Sequence, residues 1–381
     1  MILCIDASNI RSGGGITHLV ELLRAGTPAK HGFERVVVWA SQATLRRLED
    51  RPWLDKRTAP VLESHYLRRA WWQRNQLGAL AAAEGCSVLF VPGGSFATGF
   101  RPVVTMSRNL LPFEWEESSR YGFSSLTLKF LMLRWTQSKS FRNASGVIFL
   151  NEYAKRAVAR VTGALKADTQ IVPHGIDDRF FSLPRPQRSL RECDDTRPFK
   201  LMYVSIVDVY KHQWNVAEAV ARLRSDGYPI VLELIGPAYP PALKRLHETL
   251  HRVDPTGSFV RHLGPMPHNE LHAHYAGADV CVFASSCENM PNILLEGMAS
   301  GLPIACSAKG PMPEVLGEAG IYFDPTNPTS ITDALRTLID NPELREQKAL
   351  AAYEQARQYS WPRCADETFE FLFKVAAEHL R

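Results

Sequence analysis

The chain has 381 residues, of which 45% are hydrophobic and 22% charged, with a formal net charge of +4. That length points to two domains with sizeable cores, and the balance excludes a disordered or fibrous chain. The seven cysteines are scattered with no C-x-x-C pair, and no apolar run reaches the ~18 residues of a membrane span, so neither a disulfide framework, a zinc site nor a membrane anchor is expected, and a cytoplasmic setting fits.

In chain order, "MILCIDAS" reads as a strand that starts without a basic flank or cleavage site, so no signal peptide is expected. The glycines Gly13, Gly14 and Gly15 then open a helix, "GITHLVELLRAG". Strands follow at "RVVVWAS", "SVLFVPGG", "RPVVTMS" and "SGVIFLN", with a long helix at "SLTLKFLMLRWTQSKSFRNA". Residues 173–198 are rich in Pro, Asp and Arg and read as a linker. The alternation restarts with "KLMYVSIV", "IVLELIG", "SFVRHLG", "DVCVFASS", "LPIACS" and "AGIYFD", with helices between them and a helical C-terminus. Strand–helix alternation predicts parallel sheets covered by helices. The expected division is 1–172, a hinge over 173–198, a second domain over 199–355, and a terminal helix over 356–381 that packs back on the first domain.

The stretch "CENMPNILLEGMASGLPIACS" carries the sharpest signal. Pro291 suits a first helical turn and Gly301 a helix stop, so Glu288 falls in a loop and Glu296 about two turns into a helix. The helix start around Asn289, Met290, Pro291, Asn292 and Ile293 offers free N–H groups to an anion. A diphosphate would fit there, with the two carboxylates accepting hydrogen bonds from hydroxyls on either side. Taken singly, each glutamate would read as a solvated residue. Glu296, however, is flanked by "ILL" and "GMA", and a buried carboxylate needs partners.

This E-x7-E segment resembles that of glycosyltransferase family 4. So do "IVPHGID" (171–177), "LMYVSIVDVYKHQ" (201–213), "GPMPHNELHAHYAGADVCVFAS" and "GPMPEVLGEAGIYFDP", in the same order over 170–326. The resemblance implies a GT-B fold, two Rossmann-like parallel-sheet domains facing a cleft. It implies a retaining transferase that moves a sugar from a nucleotide-sugar donor to a saccharide acceptor. By the same resemblance, Glu296 would hold the ribose, Glu288 the transferred sugar, and the amides of Asn289 to Asn292 the diphosphate and sugar. Lys211 would neutralise the leaving phosphate, and Gly14 and Gly15 would line the cleft. The chain departs from the family at Ile206, where an Arg is usual, and at Arg108-Asn109, where a His-Asp pair is usual. Arg108 is the candidate replacement cation.

No Asp-x-Asp pair occurs, which agrees with a mechanism that needs no metal or other cofactor. His268 and His272 are spaced i, i+4, a metal-capable spacing, but the segment reads as an amphipathic helix. Residues 1–175 hold 23 Lys and Arg against 13 Asp and Glu, a net +10, leaving −6 for the rest. Basic residues stand beside Trp at 65–78 and 128–142, which suits an anionic membrane surface; no nucleic-acid module is present. The expected acceptor is lipid-linked, at the inner face of the cell membrane, in the assembly of a surface polysaccharide or lipopolysaccharide. Two alternatives stay open at this stage: a sugar-nucleotide epimerase of similar fold, and a non-catalytic sugar-nucleotide-binding protein.

Overall fold

The computed structural model describes residues 1–11 and 13–380. The chain divides into two compact units. The first comprises Met1–Ser118, Gly122–Gly175 and the chain from Tyr359 onward; the second comprises Ser119–Tyr121 and Ile176–Gln358.

Among the described residues, the first unit holds seven strands: β1 (Ile2–Asp6), β2 (Arg35–Trp39), β3 (Leu54–Arg57), β4 (Val88–Val91), β5 (Val103–Met106), β6 (Gly146–Phe149) and β7 (Asp168–Ile171). All pair in parallel, in the order β3-β2-β1-β4-β5-β6-β7. The central strands are apolar throughout because helices cover both faces of a parallel sheet. Val36, Val37, Val38, Leu89, Phe90 and Ile148 are all fully buried. The last helix, Trp361–His379, is capped by Ser360, whose hydroxyl accepts from the Arg363 N–H, and it buries Phe369, Leu372 and Ala376.

The second unit repeats the plan with β8 (Phe199–Val204), β9 (Ile230–Ile235), β10 (Val260–Gly264), β11 (Val280–Phe283), β12 (Ile304–Ser307) and β13 (Gly320–Phe323). Their order is β10-β9-β8-β11-β12-β13, again all parallel. In both sheets the strand order reverses beside the first strand, between β1 and β4 and between β8 and β11. Loops leaving the carboxyl ends of those strands diverge there and open a crevice for ligands.

Composition alone reads 173–198 as a linker, but much of the segment from Ile176 on is fixed to the second unit. Phe180 is buried edge-on to Tyr275, with ring centroids 5.9 Å apart. Arg185 and Arg188 both pair with the buried Asp279 carboxylate, which also accepts from the Lys200 N–H at 2.7 Å. The arginines that suggest a solvated linker instead find an acidic partner at the start of β11.

Candidate active site

Two loops of the second unit leave the neighbouring strands β8 and β11. Lys211 lies on the first and Glu288 on the second, and their side chains form an ion pair. Lys211 is only 6% exposed. Its ammonium also stands 5.0 Å from the Tyr210 ring centroid and 5.4 Å from that of Phe283. Ring faces and one carboxylate therefore hold this cation at the carboxyl end of the sheet.

The residue after Lys211 fixes the loop. His212 has φ 53°, and no other non-glycine among the described residues has a positive φ. Its Nε2 and the Ser286 hydroxyl are 2.9 Å apart, while the Ser286 N–H donates to the Tyr210 carbonyl at 2.9 Å. The buried Tyr203 hydroxyl donates to the Lys211 carbonyl at 2.8 Å. The two loops are thus stitched together around the ion pair. Burial, helped by the fields of Arg120 and Arg245, pushes the His212 imidazole down to about 3. On the same loop Asp208 accepts from the Tyr121 hydroxyl at 2.9 Å, and burial raises its carboxyl above the ordinary aspartate range.

The helix after β11 runs Asn292–Ala299, so Pro291 is its N-cap rather than its first residue, and Glu296 lies one turn in rather than two. Pro291 has no N–H, and the Asn292 N–H donates to the Met290 carbonyl at 2.9 Å. The open amides expected over Asn289–Ile293 are therefore fewer than the sequence suggests. Those of Ile293 and Leu294, in the first turn, lack partners within the helix, as at any helix start. Asn289, Met290 and Pro291 are buried against the loop.

Glu296 is 7% exposed. Its Oε1 is 2.9 Å from His268 Nε2, and its Oε2 has no hydrogen-bond partner. Burial raises the Glu296 carboxyl; the His268 bond works against that rise. The same bond raises the His268 imidazole. The metal-capable pair of His268 and His272 does not form on one helix, because the helix starts only at Leu271 and His268 lies before it. Among the described residues no three His, Cys, Asp or Glu side chains gather as a metal-ligand set.

The remaining candidates fall in the first unit. Gly14 begins the helix Gly14–Ala25, and Gly15 lies under Arg108: a Cβ on Gly15 would come within 2.8 Å of the guanidinium. That close approach is what glycine permits here. Arg108 follows β5; its Nε is buried without a partner, and burial pulls the group down to about 10, so it stays charged at neutral pH. His18, one turn along the helix, is fully buried with neither ring nitrogen hydrogen-bonded, and its ring centroid is 4.9 Å from that of His174. Burial, then His174 and Arg108, drives the His18 imidazole well below its ordinary range.

Gly14, Gly15 and Arg108 are thus together in one unit, and Lys211, Glu288, Asn289–Ile293 and Glu296 in the other. Ile206, where the family has Arg, follows β8 and is 37% exposed. Reading by sequence missed His18, Tyr121, Asp208 and His212, and took His268 only as half of a metal-capable pair with His272. Of the four missed, His212, next to a singled-out lysine, stood closest to a signal.

Two doubly wound parallel sheets of matching strand order define the GT-B fold of glycosyltransferases. The chain superposes on sucrose-phosphate synthase from Thermosynechococcus elongatus with a TM-score of 0.75 and 18% identity, covering 99% of this chain and 100% of that one. It superposes on WaaG, a glycosyltransferase involved in lipopolysaccharide biosynthesis, with a TM-score of 0.68 and 16% identity, covering 98% and 99%. Residues 198–341, within the second unit, match the family model described as "Glycosyl transferases group 1". The Escherichia coli O-antigen chain mannosyltransferase B is 33% identical over 110 residues, 29% of each chain. The D-inositol 3-phosphate glycosyltransferase of Corynebacterium efficiens is 31% identical over 187 residues, 48% of this chain and 44% of that one. The chain spans between 22% and 50% of the length of these curated relatives and others like them.

Proposed function

We propose that the protein is a retaining glycosyltransferase of family 4. It moves a sugar from a nucleotide-sugar donor, bound by the second unit, to a saccharide acceptor, bound by the first. The observation that carries this reading is the Lys211–Glu288 ion pair beside the helix that bears the half-satisfied Glu296. When the bond between the sugar and the diphosphate breaks, the bonding pair leaves on the phosphate oxygen. The Lys211 ammonium and the first-turn amides of the helix Asn292–Ala299 stabilise that charge. The acceptor hydroxyl attacks from the same face, and its proton passes to the departing phosphate. Glu296 receives the ribose hydroxyls and Glu288 contacts the transferred sugar; Arg108, against Gly15 in the first unit, is the candidate for the second cation. The cations and helix amides do the work of a metal ion, so none is required.

The donor reading draws support from a structural neighbour, HepE of Anabaena, solved in complex with UDP-glucose. The acceptor is lipid-linked, at the inner face of the membrane, in surface polysaccharide or lipopolysaccharide assembly. Support for this comes from the names of the mannosyltransferase and WaaG relatives and from an exposed apolar stripe on the helix Ser125–Asn143. No helix of the described residues is long and apolar enough to cross a membrane, so contact would be peripheral.

The test is incubation with a panel of UDP- and GDP-sugars, with and without chelator, scoring release of nucleoside diphosphate and the anomeric configuration of the product. Turnover that survives chelation and is lost in Lys211→Ala and Glu296→Ala supports the reading. Unimpaired turnover in both variants removes the site, and an epimerised donor without acceptor makes the protein an epimerase.

A further inference from the structure

We infer that His268 is a positioning residue for the nucleoside: it fixes the Glu296 carboxylate so that the ribose hydroxyls meet an ordered acceptor. The inference rests on the proposed role of Glu296 and adds a residue to it. His268 comes from a different part of the chain, 28 residues earlier, in the turn before the helix Leu271–Gly277.

The geometry is specific. Glu296 is buried on the helix Asn292–Ala299, with its Oε1 2.9 Å from His268 Nε2 and its Oε2 without a hydrogen-bond partner. A buried carboxylate oxygen left without a donor costs free energy that a bound donor would recover. A carboxylate has about four acceptor positions over its two oxygens. A hydroxyl can therefore join His268 on Oε1 or satisfy Oε2, and a vicinal diol can do both. Without His268, the carboxylate would lose the donor that fixes Oε1, and its orientation would be held less firmly.

The imidazole is itself placed. One side of its ring meets the buried Phe180, with centroids 5.2 Å apart. Half of the side chain remains exposed, leaving a face open toward solvent beside the carboxylate. The charged and titratable groups that face His268 are Glu296, Asp177 and Arg179; the Tyr275 hydroxyl also lies close to Glu296 and donates to the Ile293 carbonyl at 3.3 Å. Asp177 and Arg179 pair with each other. Glu296 is therefore the carboxylate that His268 serves.

The experiment is calorimetric titration of the full chain with UDP and with 2′,3′-dideoxy-UDP, and with the GDP pair should GDP bind more tightly. The proteins are the wild type, Glu296→Ala, His268→Ala and His268→Gln, each checked first for its melting temperature. We expect His268→Ala to weaken the ribonucleotide about tenfold. His268→Gln, which keeps an N–H donor, should recover part of that loss. The dideoxy nucleotide should bind weakly and equally to wild type and His268→Ala, because it has no hydroxyl for the carboxylate to receive. Raising pH through the His268 titration should erode the wild-type advantage, since the neutral ring holds the carboxylate less firmly. Equal loss for both nucleotides, or no loss for the ribonucleotide, overturns the inference. The arms are separable. If Glu296→Ala binds UDP as well as wild type, or if neither nucleotide binds, the underlying donor site falls. If Glu296→Ala loses affinity and His268→Ala does not, only the role of His268 falls. Should His268→Ala not fold, the glutamine variant and the dideoxy comparison on wild type still decide the matter.

Discussion

Lys211 and Glu288, 77 residues apart in sequence, are ion-paired. The pair gives a nearly buried ammonium a partner and fixes its direction. It also separates two roles that one substitution would confound. Lys211→Ala removes the cation and leaves Glu288 as a carboxylate with little solvent, whereas the double substitution Lys211→Ala/Glu288→Ala removes both charges. We expect Lys211→Ala to lower stability by about 3 kcal/mol and turnover by about 100-fold. The double variant should regain most of the stability and none of the turnover. Chemical denaturation beside a donor-cleavage assay checks both. Stability and activity recovering together would mean that the lysine serves only the fold.

His212 gives a pH prediction with a definite sign. The folded protein holds its imidazole neutral down to about 3, while the unfolded chain takes up that proton near 6.5. The unfolded state therefore binds more protons in this window, and stability falls as pH drops below 6.5. The contribution is at most about 1.4 kcal/mol per pH unit. His212→Gly removes this term and also relieves the left-handed backbone at φ 53°. It loses the bond to Ser286. Near pH 8 the variant should be close to wild type in stability; by pH 5 it should be the more stable of the two. Parallel denaturation curves across that range would contradict the assignment.

Much of the fold was legible because parallel strands buried on both faces spell themselves as apolar runs. "KLMYVSIV" and "DVCVFASS" became β8 and β11, the two strands that carry the site loops. The strands overlooked were β3, "LDKR", and β7, "DTQI". Both are edge strands, half-exposed and polar, and a polar run of four residues carries no strand period. The site was legible where its residues share one loop and helix, as Glu288 to Glu296 do. It was not legible where the fold joins distant residues, as with His268 to Glu296 or Tyr121 to Asp208. Local spacing also overstated the open amides, because nothing in the sequence forecasts that the Asn292 N–H turns back to Met290.

Arg345 should be indispensable to the second unit. It is fully buried, and its guanidinium donates to the carbonyls of Leu338 and Ile339 at 2.6 Å, of Arg188 at 2.5 Å, and to Gln187 Oε1 at 3.2 Å. It thereby ties the segment after Ile176 to the end of the helix Pro328–Asp340. Arg345→Met matches the volume but strands four acceptors. The expected cost is about 3 kcal/mol, read as a lower midpoint in urea. Arg345→Lys should recover only part of this, since an ammonium cannot reproduce a planar fork.

Gly301 holds the site helix in place. Its φ is 65°, and a Cβ there would come within 2.6 Å of the Ser182 carbonyl oxygen and 2.7 Å of the Pro184 nitrogen. Ser182 in turn donates its N–H to the Ala299 carbonyl at 2.9 Å, closing the helix end. Gly301→Ala therefore meets both a strained backbone and a backbone clash. We expect a loss of about 2 kcal/mol or more. Because the shift would propagate along the eight-residue helix to Asn292, nucleotide affinity should fall as well. Unchanged affinity at reduced stability would mean that the helix start is held independently of its end.

The apolar stripe on the helix Ser125–Asn143 tests the lipid-linked acceptor. Leu128, Leu131, Met132 and Trp135 follow helical i, i+3, i+4, i+7 spacing, and Leu128 and Trp135 are 70% and 66% exposed. Lys129 and Lys139 flank the stripe, and the Lys139 ammonium stands 5.6 Å from the Trp135 ring centroid. The other stretch singled out by its Trp and Arg contributes less than its sequence promises. Arg69 there is buried, donating to Asn9 and the Ser64 carbonyl, and Trp72 belongs to the core. Apolar side chains with basic neighbours suit the interface of an anionic bilayer, each surface cation contributing about 1 kcal/mol. The protein should therefore sediment with vesicles containing phosphatidylglycerol and not with purely zwitterionic ones, and added salt should weaken the association. Leu128→Ser/Trp135→Ser should abolish sedimentation while leaving cleavage of a soluble donor intact, because neither residue lies on the unit proposed to bind the donor. If the double variant sediments like wild type, the helix face has some other partner and the acceptor need not be a lipid.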